Sequence, residues 1–338
     1  YARLQAEQHL STVEATELEL TRQEARRLSQ LQQRSTRTRP GSDTIDQLWD
    51  MTKGWMAGFI LLLKHHGQRP ITDLTTHRNP QAIFDYLAGE VMDRFPSDTQ
   101  RMLLTMSILS DFTPQMAQQL SLLEHADDIL DQLHQSHYFI ERREDRFGWY
   151  RFHPLFQEFL LRRAEQVWTR ATLDDLRRKA AALLVDTQLE EDALHLLQQA
   201  QAWDDYRAII RAQAPMVAQQ GRMQTLETWI LQLPDAQREA DSWMDFWLAN
   251  SCLLVAPQEA TPLYESAMTR FRQHGERAGM LLAWAGAVQS ILVAWVGMKR
   301  IHDLVRLFEE IHPPGTSYPS LEIEAVVAQA MAGAYMHM

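Results

Sequence analysis

The stretch GWYRFHPLFQEFL, residues 148–160, changes its hydrophobic period partway along and decides the fold around it. Its first residues alternate as in a strand, and the apolar side chains that follow recur at helical spacing, at Leu155, Phe156, Phe159 and Leu160. His153 and Pro154 lie at the change. Because proline is favoured at the first position of a helix, His153 is predicted to be an N-cap residue between a strand and a helix.

The neighbouring segments predict a winged-helix domain over residues 79–168. Two short strands, near 137–142 and 147–152, are joined by a charged turn. Helices are predicted before them, near 80–95, 97–110 and 125–136. Pro114 is interpreted as a break between helices. Helices that lead into a hairpin and a further helix indicate this fold.

Residues 169–338 are predicted to form a solenoid of helical hairpins. Helices of about 15 residues follow one another with few glycines. The segment DALHLLQQAQAW, residues 192–203, is similar to a tetratricopeptide helix, although no strict repeat occurs. Each hairpin of such an array buries its apolar face only against its neighbours. The expected fold class is therefore mainly α, with a helical lid and a winged-helix domain before a tetratricopeptide-like solenoid.

The N-terminal part is predicted to hold a strand and a helical lid. Residues 1–20 alternate as in a strand, and TRQE at 21–24 has the form of a capping box that opens a helix. A polar linker is expected at 34–43 and a helix at 43–66. The lid is assigned to 21–78. Because the chain begins at Tyr1 and ends within a helical pattern, we expect it to be a piece of a longer protein.

Composition limits the classes of function. The 338 residues carry a net charge of −11, which disfavours a general nucleic-acid surface. The one cysteine, Cys252, excludes an internal disulfide and fits a reducing, cytoplasmic location, and it is expected to be a buried small side chain rather than a nucleophile. Residues 280–298 carry no charge, but the central Gln289 and Ser290 favour a core helix over a membrane span.

Motif searches give no enzyme. The sequence contains no phosphate-binding glycine loop, no C-x-x-C pair and no H-E-x-x-H pair. His134 and His137 have the spacing of a metal pair, but without further ligands a surface role is preferred.

Arginines on the predicted hairpin and the next helix allow a DNA-binding interpretation, at Arg142, Arg143, Arg146, Arg151, Arg162 and Arg163. Interspersed acids cancel most of their field, so a solvated mixed-charge surface or a contact between domains is preferred.

Six segments in order resemble the MalT-like regulators of the STAND class of signal-transduction ATPases, which include large LuxR-type transcription regulators. They are YARLQAEQHL, LELTRQEARRL, MTKGWMAGFILLL, IFDYLAGEVMDRFPSDTQRMLLTMSIL, GWYRFHPLFQEFLLRR and QQGRMQTLETWILQLP. Lys53 stands where the family tends to carry Glu, Pro154 replaces a second His, and the linker is longer.

The resemblance implies a switch. In this class a P-loop domain binds ADP or ATP, helical and winged-helix domains close over the nucleotide, and a repeat domain senses an inducer. The P-loop would lie upstream of Tyr1, with residues 1–20 as the edge of that domain, and an effector domain would lie beyond Met338. This chain would hydrolyse nothing, would bind its inducer, a small molecule or a protein, on the solenoid, and would self-assemble when ATP is bound. It would reach DNA only through the effector.

The resemblance also implies site residues. His153 matches the winged-helix histidine that contacts a phosphate of ADP, and its alternative is a local cap. Gly54, Trp55 and Gly58 match the motif on the adenine side, and the alternative is a core stripe that includes Phe59. The inducer surface is assigned only to a tryptophan-rich region that is also expected to be core, with Trp203, Trp229, Trp243, Trp247, Trp284 and Trp295. The alternative function is a helical-repeat scaffold that binds a protein partner without nucleotide control.

Overall fold

The computed structural model describes residues 20–32, 42–52, 56, 59–60, 63, 85, 88–89, 91–135 and 139–338. The chain divides into two compact units, Tyr1–Thr169 and Arg170–Met338, and each is considered by itself. The strand predicted before residue 20 lies outside the described residues. The predicted linker lies outside them up to residue 41, and its last two residues belong to a helix.

Two helices, α1 (Arg22–Gln32) and α2 (Ser42–Thr52), form the start of the described chain. The capping box is confirmed, because the Thr21 amide donates to the Glu24 carboxylate at 2.9 Å and the Glu24 amide donates to the Thr21 hydroxyl at 3.3 Å. An ion pair of 2.5 Å between Arg26 and Asp46 joins the two helices. Local capping therefore begins α1, and an ion pair between residues 20 positions apart joins it to α2.

The next segment folds as a winged helix. Its helices are α3 (Ser97–Met106), α4 (Pro114–Ser121), α5 (Ala126–Gln135) and α6 (Pro154–Val167), and its strands are β1 (Asp111–Phe112), β2 (Ile140–Arg142) and β3 (Tyr150–Phe152). The antiparallel sheet has the order β1-β3-β2. Alternation along β3 turns Tyr150 and Phe152 into the core, where Phe152 packs on Phe112 with ring centroids 4.9 Å apart.

Two elements of this domain correct the sequence interpretation. The helix predicted at 97–110 ends at Met106, and the residues that follow lead into β1, which pairs with β3. Pro114 does separate two helices, as predicted, but it is the first residue of α4, a helix that was not predicted; the Thr113 hydroxyl accepts the Met116 amide as the N-cap. Strand β1 was missed because a two-residue strand has no period of its own.

The second unit is a succession of helices, as predicted. They are α7 (Arg170–Asp186), α8 (Glu190–Gln199), α9 (Trp203–Gln219), α10 (Met223–Leu231), α11 (Asp235–Glu239), α12 (Ser242–Cys252), α13 (Pro257–His274), α14 (Arg277–Ala294), α15 (Lys299–Ile311) and α16 (Leu321–Met336). The short α11 was not predicted. The mainly α class is confirmed, whereas the assignment to tetratricopeptide repeats stays a prediction.

Helix α14 is a core helix, as expected. It alone among the described helices is long and apolar enough to cross a membrane. It packs against α13 and α16, with Trp284 fully buried. Two glycines let α13 approach closely: the Tyr264 ring lies where a β-carbon on Gly286 would stand, and Phe271 does the same at Gly279. The burial of α14 thus depends on the aromatic rings of α13 that pack against its glycines, rather than on the length of its apolar sequence.

Candidate functional site

His153 lies at the junction of β3 and α6, in the position that the sequence predicts. It is the N-cap of α6, with Pro154 as the first helical residue. The His153 amide donates to the Phe139 carbonyl at 2.7 Å, and the His153 carbonyl accepts the amides of Phe156 and Gln157 at 2.9 and 3.0 Å. The backbone of His153 is therefore used on both sides, by the hairpin and by the helix.

The His153 side chain makes none of the cap hydrogen bonds. Its Nδ1 atom is buried and has no hydrogen-bond partner among the described residues. Burial lowers the pKa of His153 below the ordinary histidine value, because desolvation disfavours the imidazolium, and the nearby Glu141 carboxylate only partly opposes this. At neutral pH the ring is neutral, and its Nδ1 atom can still form a hydrogen bond.

Helix α6 is held in place by Gln157. Its side-chain amide donates to the carbonyls of Ser107 and Leu109, both at 2.9 Å, just beyond the end of α3. Two carbonyls that the end of α3 leaves without helical partners are thereby satisfied. Since Gln157 is one turn from His153, this contact fixes the start of α6 and with it the ring. Sequence reasoning did not identify Gln157.

The hairpin is anchored to α5 by a polar triad. The Tyr150 hydroxyl donates to Asp131, Arg142 donates to the Tyr150 hydroxyl at 3.0 Å, and Arg142 also pairs with Asp131 at 2.5 Å. These hydrogen bonds lower the pKa of Asp131, that from Tyr150 most of all. The triad orients β3, which ends at His153.

The hairpin and helix arginines are mostly neutralised. Ion pairs join Arg142 to Asp131, Arg143 to Asp145, Arg151 to Asp111, Arg162 to Asp85 and Arg163 to Asp93. Arg146 instead stacks on Trp149, 5.4 Å from the ring centroid. Guanidinium groups that already face carboxylates are poor phosphate contacts, so the arrangement favours the mixed-charge surface over DNA binding.

The other predicted site residues divide into two groups. Gly54, Trp55 and Gly58 lie outside the described residues, so their adenine-side role stays a prediction. Phe59, in the same motif, is fully buried, as a core stripe requires.

Cys252 is less buried than the sequence predicts, and the surface role of the histidine pair stays a prediction. His134 Nδ1 lies 3.3 Å from the Ile140 carbonyl, and His137 lies outside the described residues. No cluster able to hold a metal ion occurs in the described part of the chain. Cys252 is half-buried, and burial raises the pKa of its thiol, so it stays protonated.

Most of the tryptophans assigned to the inducer region are core residues. Trp284 and Trp229 are buried, and Trp203, Trp243 and Trp247 are half-buried. Trp295 is the exception, with 68% of its surface exposed at the end of α14. The core interpretation therefore holds for Trp284 and Trp229, and Trp243 and Trp247 pack against the same core as Trp284.

Comparison with known proteins places the site in a family context. Residues 88–172, from just before α3 to the start of α7, match the MalT winged helix domain. The chain is similar to the HTH-type transcriptional regulator MalT of Vibrio cholerae, at 30% identity over 62% of this chain and 24% of the relative. The corresponding regulator of Vibrio campbellii is 28% identical over 56% of this chain and 22% of the relative.

A second kind of relative covers more of the chain. The serine/threonine-protein kinase PknK of Mycobacterium tuberculosis is 25% identical over 85% of this chain and 26% of the kinase. The chain thus spans about a quarter of the length of the curated relatives that it matches.

Proposed function

This chain is MalT-like and contains a MalT winged-helix domain, and from that premise we propose that it couples nucleotide state and inducer sensing to output. In this proposal the winged helix covers ADP or ATP bound by a neighbouring nucleotide-binding domain. The helical hairpins of the second unit sense the inducer. Transcription is the output favoured by the names of the MalT relatives.

The position of the His153 ring is the observation that carries this proposal. A neutral imidazole with an unpartnered Nδ1 lies at the N-terminus of the 14-residue helix α6. The partial positive charge of a helix N-terminus favours an anion, and a neutral imidazole can donate one hydrogen bond to it. A phosphate oxygen of ADP has both properties that this position selects, negative charge and acceptor lone pairs.

The chain's own residues supply positioning rather than hydrolysis. His153 would hold a phosphate oxygen, and the segment with Gly54, Trp55 and Gly58 would contact the adenine side. The nucleotide supplies the bound-state signal, and the residues that bind its phosphates and Mg²⁺ would belong to the nucleotide-binding domain. We propose that this segment itself is not an enzyme.

The proposed partners follow from the same scheme. They are the chain's own nucleotide-binding domain, a downstream effector domain that reaches DNA, an inducer on the helical hairpins and further copies of the protein when ATP is bound. The proposed location is the cytoplasm, without a membrane.

The test uses the complete protein with its nucleotide-binding domain. We expect His153→Ala to lose ADP during gel filtration and to raise the basal output of a reporter, because the ADP-bound form would be less populated. His153→Asn keeps an amide near the Nδ1 position and should retain part of the effect. Unchanged ADP retention together with unchanged basal output in His153→Ala would exclude a phosphate contact.

A further inference from the structure

The second unit carries an open apolar groove between α7 and α9 that the nucleotide scheme does not use. Its volume is 610 Å³, and its floor is aliphatic, formed by Ala181, Ala182, Val185, Leu197, Ala208 and Ile209. Leu197 comes from α8, below the two helices, and is buried. Ala182 and Ala208 remain exposed, so the floor is accessible from solvent.

Within the described chain, the cationic side chains around this groove form ion pairs, whereas one of its carboxylates does not. Arg178 on α7 pairs with Asp205 on α9 at 2.6 Å and joins the two helices. Lys179 pairs with Asp175 at 2.7 Å. Asp186, which also lines the groove, takes part in no ion pair among the described side chains. The cations are thus neutralised, and the charge left over is a carboxylate.

Two further features make the Asp186 end attractive to a cation. Asp186 is the last residue of α7, where the partial negative charge of the helix C-terminus adds to its own. Residues 170–338 carry 14 Lys and Arg against 21 Asp and Glu. A cationic partner is therefore favoured at long range and at this end of the groove.

The length of the groove suits a short helix. Its α7 side runs from Asp175 to Asp186, about 16 Å or three helical turns at 1.5 Å per residue. Small residues at Ala182 and Ala208 leave room for a third helix to lie between α7 and α9. A helix that lays an aliphatic stripe into such a groove is a recurrent mode of recognition.

We propose that this groove binds an amphipathic helix of a protein partner, with aliphatic side chains along one face and a Lys or Arg at the end that meets Asp186. The inference deepens the sensing role proposed above and rests on it, since it gives the inducer a protein chemistry. The inference does not involve His153, so an experiment can exclude peptide binding in the groove without excluding the nucleotide contact, and the reverse.

The test measures peptide binding to the whole 338-residue chain. The probe is a fluorescein-labelled designed helix of about 14 residues, ~21 Å long, with a Leu/Ala stripe and a terminal Lys pair, and its twin carries Glu in place of Lys. By fluorescence polarisation we expect the Lys peptide to bind about three- to tenfold more tightly, and the preference to shrink in salt. Asp186→Asn should remove most of that preference.

Ala182→Glu places a charge on the exposed floor and should abolish binding of the Lys peptide. Ala328→Glu is the matched control, because Ala328 is an exposed alanine on the distant helix α16. Circular dichroism checks that both variants are folded. No binding by either peptide, equal binding of the two, or binding that survives Ala182→Glu would each overturn the proposal. If the groove proposal fails in this way, a reduced ADP affinity of His153→Ala in the complete protein would still support the proposed nucleotide contact.

Discussion

The amide of His153 donates a 2.7 Å hydrogen bond to the carbonyl of Phe139. His153 is the residue directly after β3, and Phe139 is the residue directly before β2. Phe139 has a φ of 53°, and its ring stacks on Phe156 in the first turn of α6, with centroids 4.8 Å apart. One residue of the hairpin therefore fixes the backbone of His153 and the entry of the helix. This relationship places the imidazole independently of any ligand.

The Gln157 contact predicts a stability effect in the winged helix. Gln157→Leu removes the donor to the carbonyls of Ser107 and Leu109, and leaving buried acceptors unpaired costs about 1–3 kcal/mol. We expect a lower free energy of unfolding in urea. The neighbouring Glu158→Ala, on the exposed side of α6, should change stability by less than about 0.5 kcal/mol. Equal effects of the two variants would show that Gln157 does not hold the helix.

The polar triad of the hairpin predicts that removal of a single hydroxyl group lowers the stability of the protein. Tyr150→Phe removes the hydroxyl that donates to Asp131 and accepts from Arg142. Hydrogen bonds to charged groups contribute more than neutral ones, so we expect a loss of about 1–3 kcal/mol. Tyr335→Phe is the matched control, since Tyr335 is 62% exposed. A thermal melt that gives the same midpoint for both variants would refute this assignment.

The close approach of α13 and α14 predicts a graded response to added methyl groups. A β-carbon on Gly286 would lie 2.4 Å from the buried Tyr264 ring, so we expect Gly286→Ala to cost about 1–3 kcal/mol despite the helix propensity of alanine.

Gly333 provides the comparison. A β-carbon there meets the terminal δ-carbon of Leu292 at 2.7 Å, which a flexible side chain can withdraw. Gly333→Ala should therefore be the milder substitution in chemical denaturation. The reverse order would mean that α13 moves more freely than its packing implies.

Histidine 312 predicts a loss of stability in mild acid. His312 is buried between the rings of Phe308 and Tyr318, and Arg277 donates to its Nδ1 at 3.1 Å. Burial lowers the pKa of His312, and Arg277 lowers it further. The folded state then binds fewer protons than the unfolded state once the pH falls below about 6.5, so stability falls with pH from that point down to the folded pKa.

The comparison is with His312→Gln, which keeps an acceptor for Arg277 but does not titrate. Between about pH 7.5 and pH 5.5, which bracket the ordinary histidine pKa, the melting temperature of the wild type should fall more than that of this variant. His302→Gln, on the exposed side of α15, controls for the substitution itself. Parallel curves for wild type and His312→Gln would contradict the assignment.

The features that sequence alone predicts are those with local causes. Thr21 and Glu24 cap each other three residues apart, and Pro154 marks His153 as an N-cap because proline fits the first helical position. The helices of the second unit follow from their 3.6-residue period. These need no knowledge of the fold.

The features that the sequence does not reveal depend on distant residues. Strand β1 exists because Asp111 and Phe112 pair with Arg151 and Tyr150, about 40 positions away in the chain. The side-chain amide of Gln157 can donate to the carbonyls beyond the end of α3 only once α6 has packed against α3. The groove between α7 and α9 likewise forms by packing, since neither helix alone carries an unusual pattern.

A phosphate contact from His153 can be measured directly in the complete protein. The direct measurement is isothermal titration of the nucleotide-free complete protein with ADP and with adenosine, in the wild type and in His153→Ala. We expect His153→Ala to weaken ADP binding by about tenfold, the contribution of one charge-assisted hydrogen bond, and to leave adenosine binding unchanged. Equal ADP affinity in the two proteins, or an equal loss for ADP and adenosine, would contradict it.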